Sequence, residues 1–333
     1  MRRFTLFFHS PFLAYKMVRN LQQQKKFIQD YISGQLEVAR TENDGSLDES
    51  DFKKITSYYG LAVPAILGEA FCALHGRKMT SKERMASTCQ GAITGLFDDF
   101  FDKRLISDQE LKAFIERPKQ LTGNTSSEKL FLYFYRMALE NAAEPKLMME
   151  HLYRVFHAQV DSKKQVNSDL SSDEIKAITF LKGGTSLVFY RMAFTPSFGK
   201  DEEDMLLRLG GLMQLSNDIF DVYKDLQHRI RTLATTTRDI REIRKLFGEL
   251  LKDGYSSARK TQYRKDNVER FLDIISLGIF SRSFVCLDQL EERQRLSNNV
   301  FSPQHYSRSD LICDMDNPGN KWKSLMYHLK YIQ

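Results

Sequence analysis

Long segments without helix-breaking residues are the feature that most restricts the fold of this chain. Its 333 residues include only 7 prolines and 17 glycines. Most of the uninterrupted segments carry apolar residues at helical rather than alternating spacing. The sequence therefore predicts an all-α protein, a helical bundle built as one domain over residues 1–333. An N-terminal helical segment is expected over 1–40, and an irregular tail that ends in a short helix is expected over 298–333.

Glycines and capping residues position several of the predicted helices. Thr80 or Ser81, with Glu83 nearby, predicts a helix start. Adjacent glycines cost roughly 1 kcal/mol each inside a helix. Gly183 and Gly184 therefore predict either a break in the helix or a close approach to another backbone.

Composition restricts the class of protein. A formal net charge of +6 is mild for 333 residues, and no basic and aromatic stripe or zinc-finger spacing suggests nucleic acid. No apolar run approaches the ~20 residues that a membrane span needs, so a cytoplasmic protein without a membrane span is expected. The four cysteines have no CxxC spacing and are expected to be reduced core thiols: Cys72, Cys89, Cys286 and Cys313.

The stretch Gly91 to Arg104, GAITGLFDDFFDKR, concentrates acidic residues. On a helix Asp98 and Asp102 lie on one face and repel each other unless a cation lies between them. Mg²⁺ suits this position because it binds carboxylate oxygens and keeps sites open for water and phosphate. The alternative is an acidic helix end on a solvated surface.

A second acidic stretch, LMQLSNDIFDVYKDL, places Asn217, Asp221 and Asp225 at i, i+4 and i+8, with Asp218 beside Asn217. A surface helix stabilised by ordinary ion pairs would alternate charge signs at this spacing. One purely acidic or amide face therefore favours metal ligands. We expect the two acidic stretches to face each other across a central cavity and to hold several Mg²⁺ ions around a diphosphate.

The DDFFD and NDIFDVYKD sequences resemble the two metal motifs of class I isoprenoid synthases, the family of terpene cyclases and trans-prenyl diphosphate synthases. The resemblance implies that family's helical fold and a site holding about three Mg²⁺ ions, with Mn²⁺ as a substitute. The implied catalytic residues are Asp98, Asp99, Asn217, Asp221 and Asp225. The implied metal ligands are these five together with Asp102 and Asp218.

Basic and aromatic side chains complete the site that this resemblance implies. Diphosphate contacts are expected from Lys182 in KGGTS, from Lys224 and from Arg308, and Arg104 was a further candidate. A dry pocket lined by aromatic faces would stabilise a carbocation. The predicted pocket residues are Phe71, Ile93, Thr94, Phe97, Phe180, Phe189 and Tyr190.

Several functions fit these motifs. A terpene cyclase that acts on one prenyl diphosphate is favoured, because the basic motif with which elongating synthases bind isopentenyl diphosphate is missing upstream of DDFFD. Small residues before Asp98, such as Gly91 and Ala92, favour a long substrate such as geranylgeranyl diphosphate. The alternatives are a chain-elongating synthase, a head-to-head condensing synthase, and a helical interaction protein without enzymatic activity. Either a monomer or a homodimer is compatible with the sequence.

Overall fold

Helices form all the regular secondary structure in the part of the chain that the structure describes, which confirms the all-α prediction. The structure is a computed structural model that describes residues 2–103, 105–167 and 169–332, without the side chains of residues 2–10, 102 and 167. The helices are α1 Arg2–Tyr31, α2 Ser33–Thr41, α3 Glu49–Leu74, α4 Ser81–Asp102, α5 Asp108–Glu116, α6 Ser126–Asn141, α7 Pro145–Ser162, α8 Lys164–Asn167, α9 Ser172–Arg191, α10 Lys200–Phe220, α11 Val222–Gln227, α12 Leu233–Thr236, α13 Ile240–Lys260, α14 Lys265–Ile275, α15 Ser281–Leu296, α16 Arg308–Leu311 and α17 Pro318–Tyr331.

Three π-helical turns interrupt the regular α-helical hydrogen bonding. Two of them, Lys54–Tyr58 and Val63–Gly68, lie inside α3, and the third, Ser276–Phe280, joins α14 to α15. A π-helical turn accommodates one extra residue and is often found near functional sites. The first turn begins at Lys54, which contacts the first acidic stretch.

Two compact units make up the chain. The first unit consists of Tyr15–Val160 and Phe189–Ser197 and contains the first acidic stretch. The second unit consists of Met1–Ala14, Asp161–Val188 and Phe198–Gln333 and contains the second acidic stretch. The single domain and the cavity that the sequence led us to expect stay predictions.

The first unit is built around α4, which packs against α3 and α6. Its N-terminus has the predicted capping box, because the Thr80 hydroxyl accepts from the Glu83 N–H and the Glu83 carboxylate accepts from the Thr80 N–H. At the other end of α4, Phe100 is 2% exposed and packs edge-on against Phe131 of α6, with ring centroids 5.5 Å apart. The helix that carries the first acidic stretch is therefore fixed at both ends.

The second unit contains a close crossing between α9 and α10. Helix α9 runs without a break through Gly183 and Gly184. A Cβ atom on Gly183 would lie 2.1 Å from the Gly210 carbonyl oxygen, and one on Gly210 would lie 2.4 Å from the Gly183 oxygen. Of the two readings of the glycine pair, the structure shows the close backbone approach.

One segment of the described chain, Glu49–Leu74, has the length and apolar composition of a membrane-spanning helix. Of the apolar window that passes this test, 61% is buried inside the protein. A core helix of a globular protein passes the same test, so this segment is weak evidence for a membrane span.

Candidate active site

Asp98 and Asp99 point to different surroundings, because adjacent residues on a helix are about 100° apart. Asp98 is half-buried and its Oδ1 accepts a hydrogen bond from the side-chain amide of Gln159, on α7. Asp99 is 5% exposed and forms ion pairs with Lys54 and with Lys103, whose Nζ lies 3.3 Å from Asp99 Oδ2. The donor in this Asp98 hydrogen bond is thus an uncharged amide, whereas Asp99 has two cationic partners.

A further carboxylate, Asp51, belongs to the Asp99 cluster and was not identified from the sequence. Burial and a hydrogen bond to Asp99 raise the pKa of Asp51 to about 6. Burial opposes ionisation of Asp99 as well, but hydrogen bonds from Asp51 and Lys54 lower its pKa. Asp51 Oδ1 and Asp99 Oδ2 are buried, and neither accepts a hydrogen bond when both carboxylates are ionised. A proton on Asp51 would act as the hydrogen-bond donor between the two groups.

The remaining predicted residues of the first stretch divide into described and undescribed positions. Asp102 is the last residue of α4, but its side chain lies outside the described part of the structure, and Arg104 lies outside the described residues altogether. Their predicted roles as ligand and as diphosphate contact stay predictions.

The second acidic stretch lies where two helices meet. The i, i+4 and i+8 spacing predicted one continuous helix from Asn217 through Asp225, but α10 ends at Phe220 and α11 begins at Val222, with Asp221 between them at φ −94° and ψ 12°. Asp218 and Asp225 are 5% and 8% exposed, whereas Asn217 is exposed and donates to Asp221 Oδ2 across 3.4 Å. The acidic face is therefore formed by buried Asp218 and Asp225 together with half-buried Asp221.

Hydrogen bonds hold Asp218 in place. Thr179 on α9 donates to its Oδ2 across 3.1 Å, and Gln214 one turn earlier on α10 donates to its Oδ1 across 2.9 Å. Burial nevertheless raises the pKa of Asp218 to about 6. Two neutral donors do not offset the loss of water around this carboxylate.

Asp225 has the most strongly perturbed carboxyl of the second stretch. Burial, followed by repulsion from Asp218 and Asp221, raises its pKa to about 8, while Lys224 and Lys182 act in the opposite direction. Burial also raises the pKa of Asp221. The three acids are close enough to repel one another in a poorly solvated place, which is the condition that a bound cation relieves.

Three basic side chains surround the second stretch. Lys182 is half-buried and its charge acts on all three acids, and Lys224 is exposed and acts on Asp221 and Asp225. Arg282 was not identified from the sequence. Its charge acts on Asp221 and its guanidinium lies 4.5 Å from the centre of the Phe220 ring. Burial lowers the pKa of Arg282 although its side chain is solvent-accessible, as expected for a cation that lines a recess.

The third predicted diphosphate contact, Arg308, is exposed on α16, and its guanidinium lies 6.0 Å from the centre of the Tyr223 ring. Tyr223 belongs to α11, between Asp221 and Asp225. Arg308 is therefore near the second stretch, and its diphosphate contact stays a prediction.

The predicted pocket residues are distributed over both units. In the first unit, Thr94 and Tyr190 share a hydrogen bond of 3.0 Å between their hydroxyls, and the Asp98 charge acts on Tyr190. In the second unit, Phe180 is half-buried against Gly211. The other four are at most 3% exposed, within the core of the first unit: Phe71, Ile93, Phe97 and Phe189.

The donor chemistry of the second stretch fits a hard divalent cation, because the neighbouring basic side chains do not fully offset the burial that raises the pKa values of its carboxylates. The arrangement of the side chains fits a metal ion less well than their chemistry does. Within the described residues, no group of three or more His, Cys, Asp or Glu side chains is arranged to hold a metal ion. The predicted Mg²⁺ ligands stay predictions.

Comparison with known proteins finds a distant structural likeness. No protein-family model and no curated protein matches the chain. The chain is similar to a solved structure of a dehydrosqualene synthase in complex with ligand, with a TM-score of 0.47 and 12% sequence identity over 96% of this chain and 97% of that one. A likeness this distant carries no argument about activity, so the functional case depends on the residues themselves.

Proposed function

We propose that this protein is an Mg²⁺-dependent isoprenoid synthase that ionises an allylic prenyl diphosphate. The observation that carries the proposal is the group formed by buried Asp218 and Asp225 and half-buried Asp221, with Lys182 beside it. An acidic surface helix would hold its carboxylates in water, where their pKa values stay low. A metal-dependent diphosphate site explains both the burial and the neighbouring cations.

The side chains divide the chemistry between them. Asp218, oriented by Thr179 and Gln214, and Asp225 would supply carboxylate oxygens to the metal. Mg²⁺, when bound, neutralises the diphosphate and stabilises it as it leaves. Lys182 and Arg282 would bind the diphosphate oxygens directly, since both cations already act on Asp221.

The first acidic stretch would contribute through Asp98. Its Oδ1 accepts a hydrogen bond from the neutral side-chain amide of Gln159, whereas Asp99 is paired with Lys54. The hydroxyls of Tyr190 and Thr94 form a hydrogen bond with each other. The Tyr190 ring and the Thr94 methyl group would then face an apolar chain and exclude water from a carbocation.

Two reactions remain after ionisation, and we favour cyclisation of one substrate, with geranylgeranyl diphosphate the preferred length. One observation keeps the head-to-head condensing alternative open. Asp99 is engaged by Lys54 and Lys103, so the adjacent aspartates of DDFFD do not distinguish the two reactions.

The test is pyrophosphate release from C10, C15, C20 and C25 prenyl diphosphates with Mg²⁺, with and without isopentenyl diphosphate. Cyclisation predicts a hydrocarbon from one substrate alone, and head-to-head condensation predicts a product containing two substrate chains. Product only in the presence of isopentenyl diphosphate would contradict both and support chain elongation.

Matched variants connect the activity to the residues. Asp225→Asn and Asp98→Asn should each lower turnover about 100-fold or more, while Glu249→Gln, an exposed acid on α13, should leave it unchanged. Helical circular dichroism should be the same for all three. Full turnover in Asp225→Asn would remove the second stretch from the reaction.

A further inference from the structure

Two buried thiols lie in contact beside the second acidic stretch. Cys286 on α15 is 0% exposed, and Cys313, between α16 and α17, is 7% exposed. The Cys286 thiol donates to the backbone carbonyl oxygen of Ile219 across 3.4 Å and interacts with the Cys313 thiol. The segment of Cys313 is held against α15 by Gln289, one turn after Cys286, whose side-chain amide donates to the Ile312 carbonyl oxygen across 3.1 Å. Both cysteines are reduced in this structure.

The surroundings make one sulfur of the pair the nucleophile. The interaction with Cys286, with the charges of Arg282 and Lys323, lowers the pKa of Cys313. The same interaction and burial raise the pKa of Cys286. A more acidic thiol next to a second thiol is the arrangement found in reversible redox pairs.

The pair is connected to the acidic stretch through α10 and Arg282. Ile219 lies between Asp218 and Asp221, and Arg282, one turn before Cys286, acts on both cysteines and on Asp221. A covalent bond between the sulfurs would therefore fix the segment at Cys313 against the helix that carries the predicted metal ligands.

We propose that Cys286 and Cys313 form a reversible disulfide on exposure to peroxide, and that this disulfide regulates the second acidic stretch. The Cys313 thiolate attacks a peroxide oxygen, the O–O bond breaks, and the sulfur becomes a sulfenic acid as water leaves. Cys286 then attacks that sulfur and expels a second water. In total two thiols lose two electrons and two protons to one hydrogen peroxide, and a dithiol reverses the reaction.

The first experiment uses the wild-type protein and does not depend on its activity. It is treated with hydrogen peroxide, alkylated while denatured, digested without reductant and analysed by mass spectrometry. We expect a crosslinked peptide pair containing Cys286 and Cys313, lost on treatment with dithiothreitol, while Cys72 and Cys89 remain alkylated. Oxidation should also raise the melting temperature by several degrees, because the disulfide closes a loop of about 28 residues.

The regulatory part rests on the proposed function and is tested separately. Peroxide should lower pyrophosphate release from the wild-type protein at least threefold and reversibly, but leave Cys286→Ser and Cys313→Ser unaffected. Failure to detect the crosslink at any peroxide concentration would overturn the proposal. A crosslink with unchanged turnover would overturn the regulatory part, and a crosslink in a protein without any turnover would contradict the proposed function alone.

Discussion

Substitution of Gly183 by alanine tests the close crossing between α9 and α10. The added Cβ would lie 2.1 Å from the Gly210 carbonyl oxygen and 2.6 Å from Gln214 Cβ, both well short of the 3.4 Å at which ordinary contact begins. The first of these neighbours is backbone and has no rotamer that would relieve the clash. The two helices must therefore separate.

The magnitude follows from two opposing effects. Overpacking of this kind costs about 1–3 kcal/mol, and the upper end applies here because a whole helix has to move. Alanine recovers roughly 1 kcal/mol of helix propensity, so Gly183→Ala should lower the free energy of unfolding by about 1–2 kcal/mol. Gln214 moves with the crossing, so the pKa of Asp218 should change as well.

Gly248→Ala is the matched control. Gly248 lies inside α13, and a Cβ there would have no atom within 4 Å. This variant should gain up to about 1 kcal/mol from propensity alone. Urea unfolding followed by circular dichroism compares the two variants, and the difference between them should be about 2–3 kcal/mol. A Gly183→Ala protein as stable as Gly248→Ala would refute the crossing.

Three further substitutions test charged groups in the two units. Burial lowers the pKa of His328 to about 4, so the protein should lose up to about 3 kcal/mol of stability as the pH falls from 6.5 to 4. Urea unfolding at pH 7 and at pH 4.5 measures this loss. The exposed control His305→Gln should show the loss, and His328→Gln should not. Burial opposes ionisation of Glu83, but hydrogen bonds from Arg77 and Thr195 lower its pKa to about 2. Its stabilisation is present above pH 4.5 and is lost as the pH falls towards 2, so Glu83→Gln should unfold about 3 kcal/mol more easily at pH 7 and no more easily than wild type near pH 2. Asp99→Asn removes the partner of Lys54 and Lys103 and should cost about 1–3 kcal/mol in urea unfolding. The exposed control Glu249→Gln should cost less than about 0.5 kcal/mol, and equal losses in the two variants would show that the Asp99 ion pairs do not stabilise the fold.

Local signals in the sequence predicted the helices well. The Thr80 and Glu83 capping box is decided by side chains within one turn of the helix end, so the sequence alone contains the information. The end of α10 was missed because NDIFDVYKD continues the helical pattern through Asp221. No proline or glycine marks the break.

Contacts between distant segments were beyond the same reasoning. Lys54 and Asp99 are 45 residues apart, and nothing in either local sequence links them, so Asp99 was read as equivalent to Asp98. The burial of Asp218 in preference to Asn217 depends on Thr179 and on the packing of α9. The sequence signal that could have identified Arg282 as a site residue was its position as a single cation in a mostly apolar segment.

The π-helical turn Lys54–Tyr58 has a consequence for how this chain compares with others over evolutionary time. Such a turn is what a helix forms when it absorbs a one-residue insertion without unfolding. Removing one residue from it should restore a regular α-helix but rotate the preceding turn, with Asp51, by about 100° relative to the rest of α3. A homologue one residue shorter at this point would therefore keep the helix and lose the contact of this segment with Asp99. A sequence alignment that forbids gaps inside helices would then pair the wrong residues on one side of the turn.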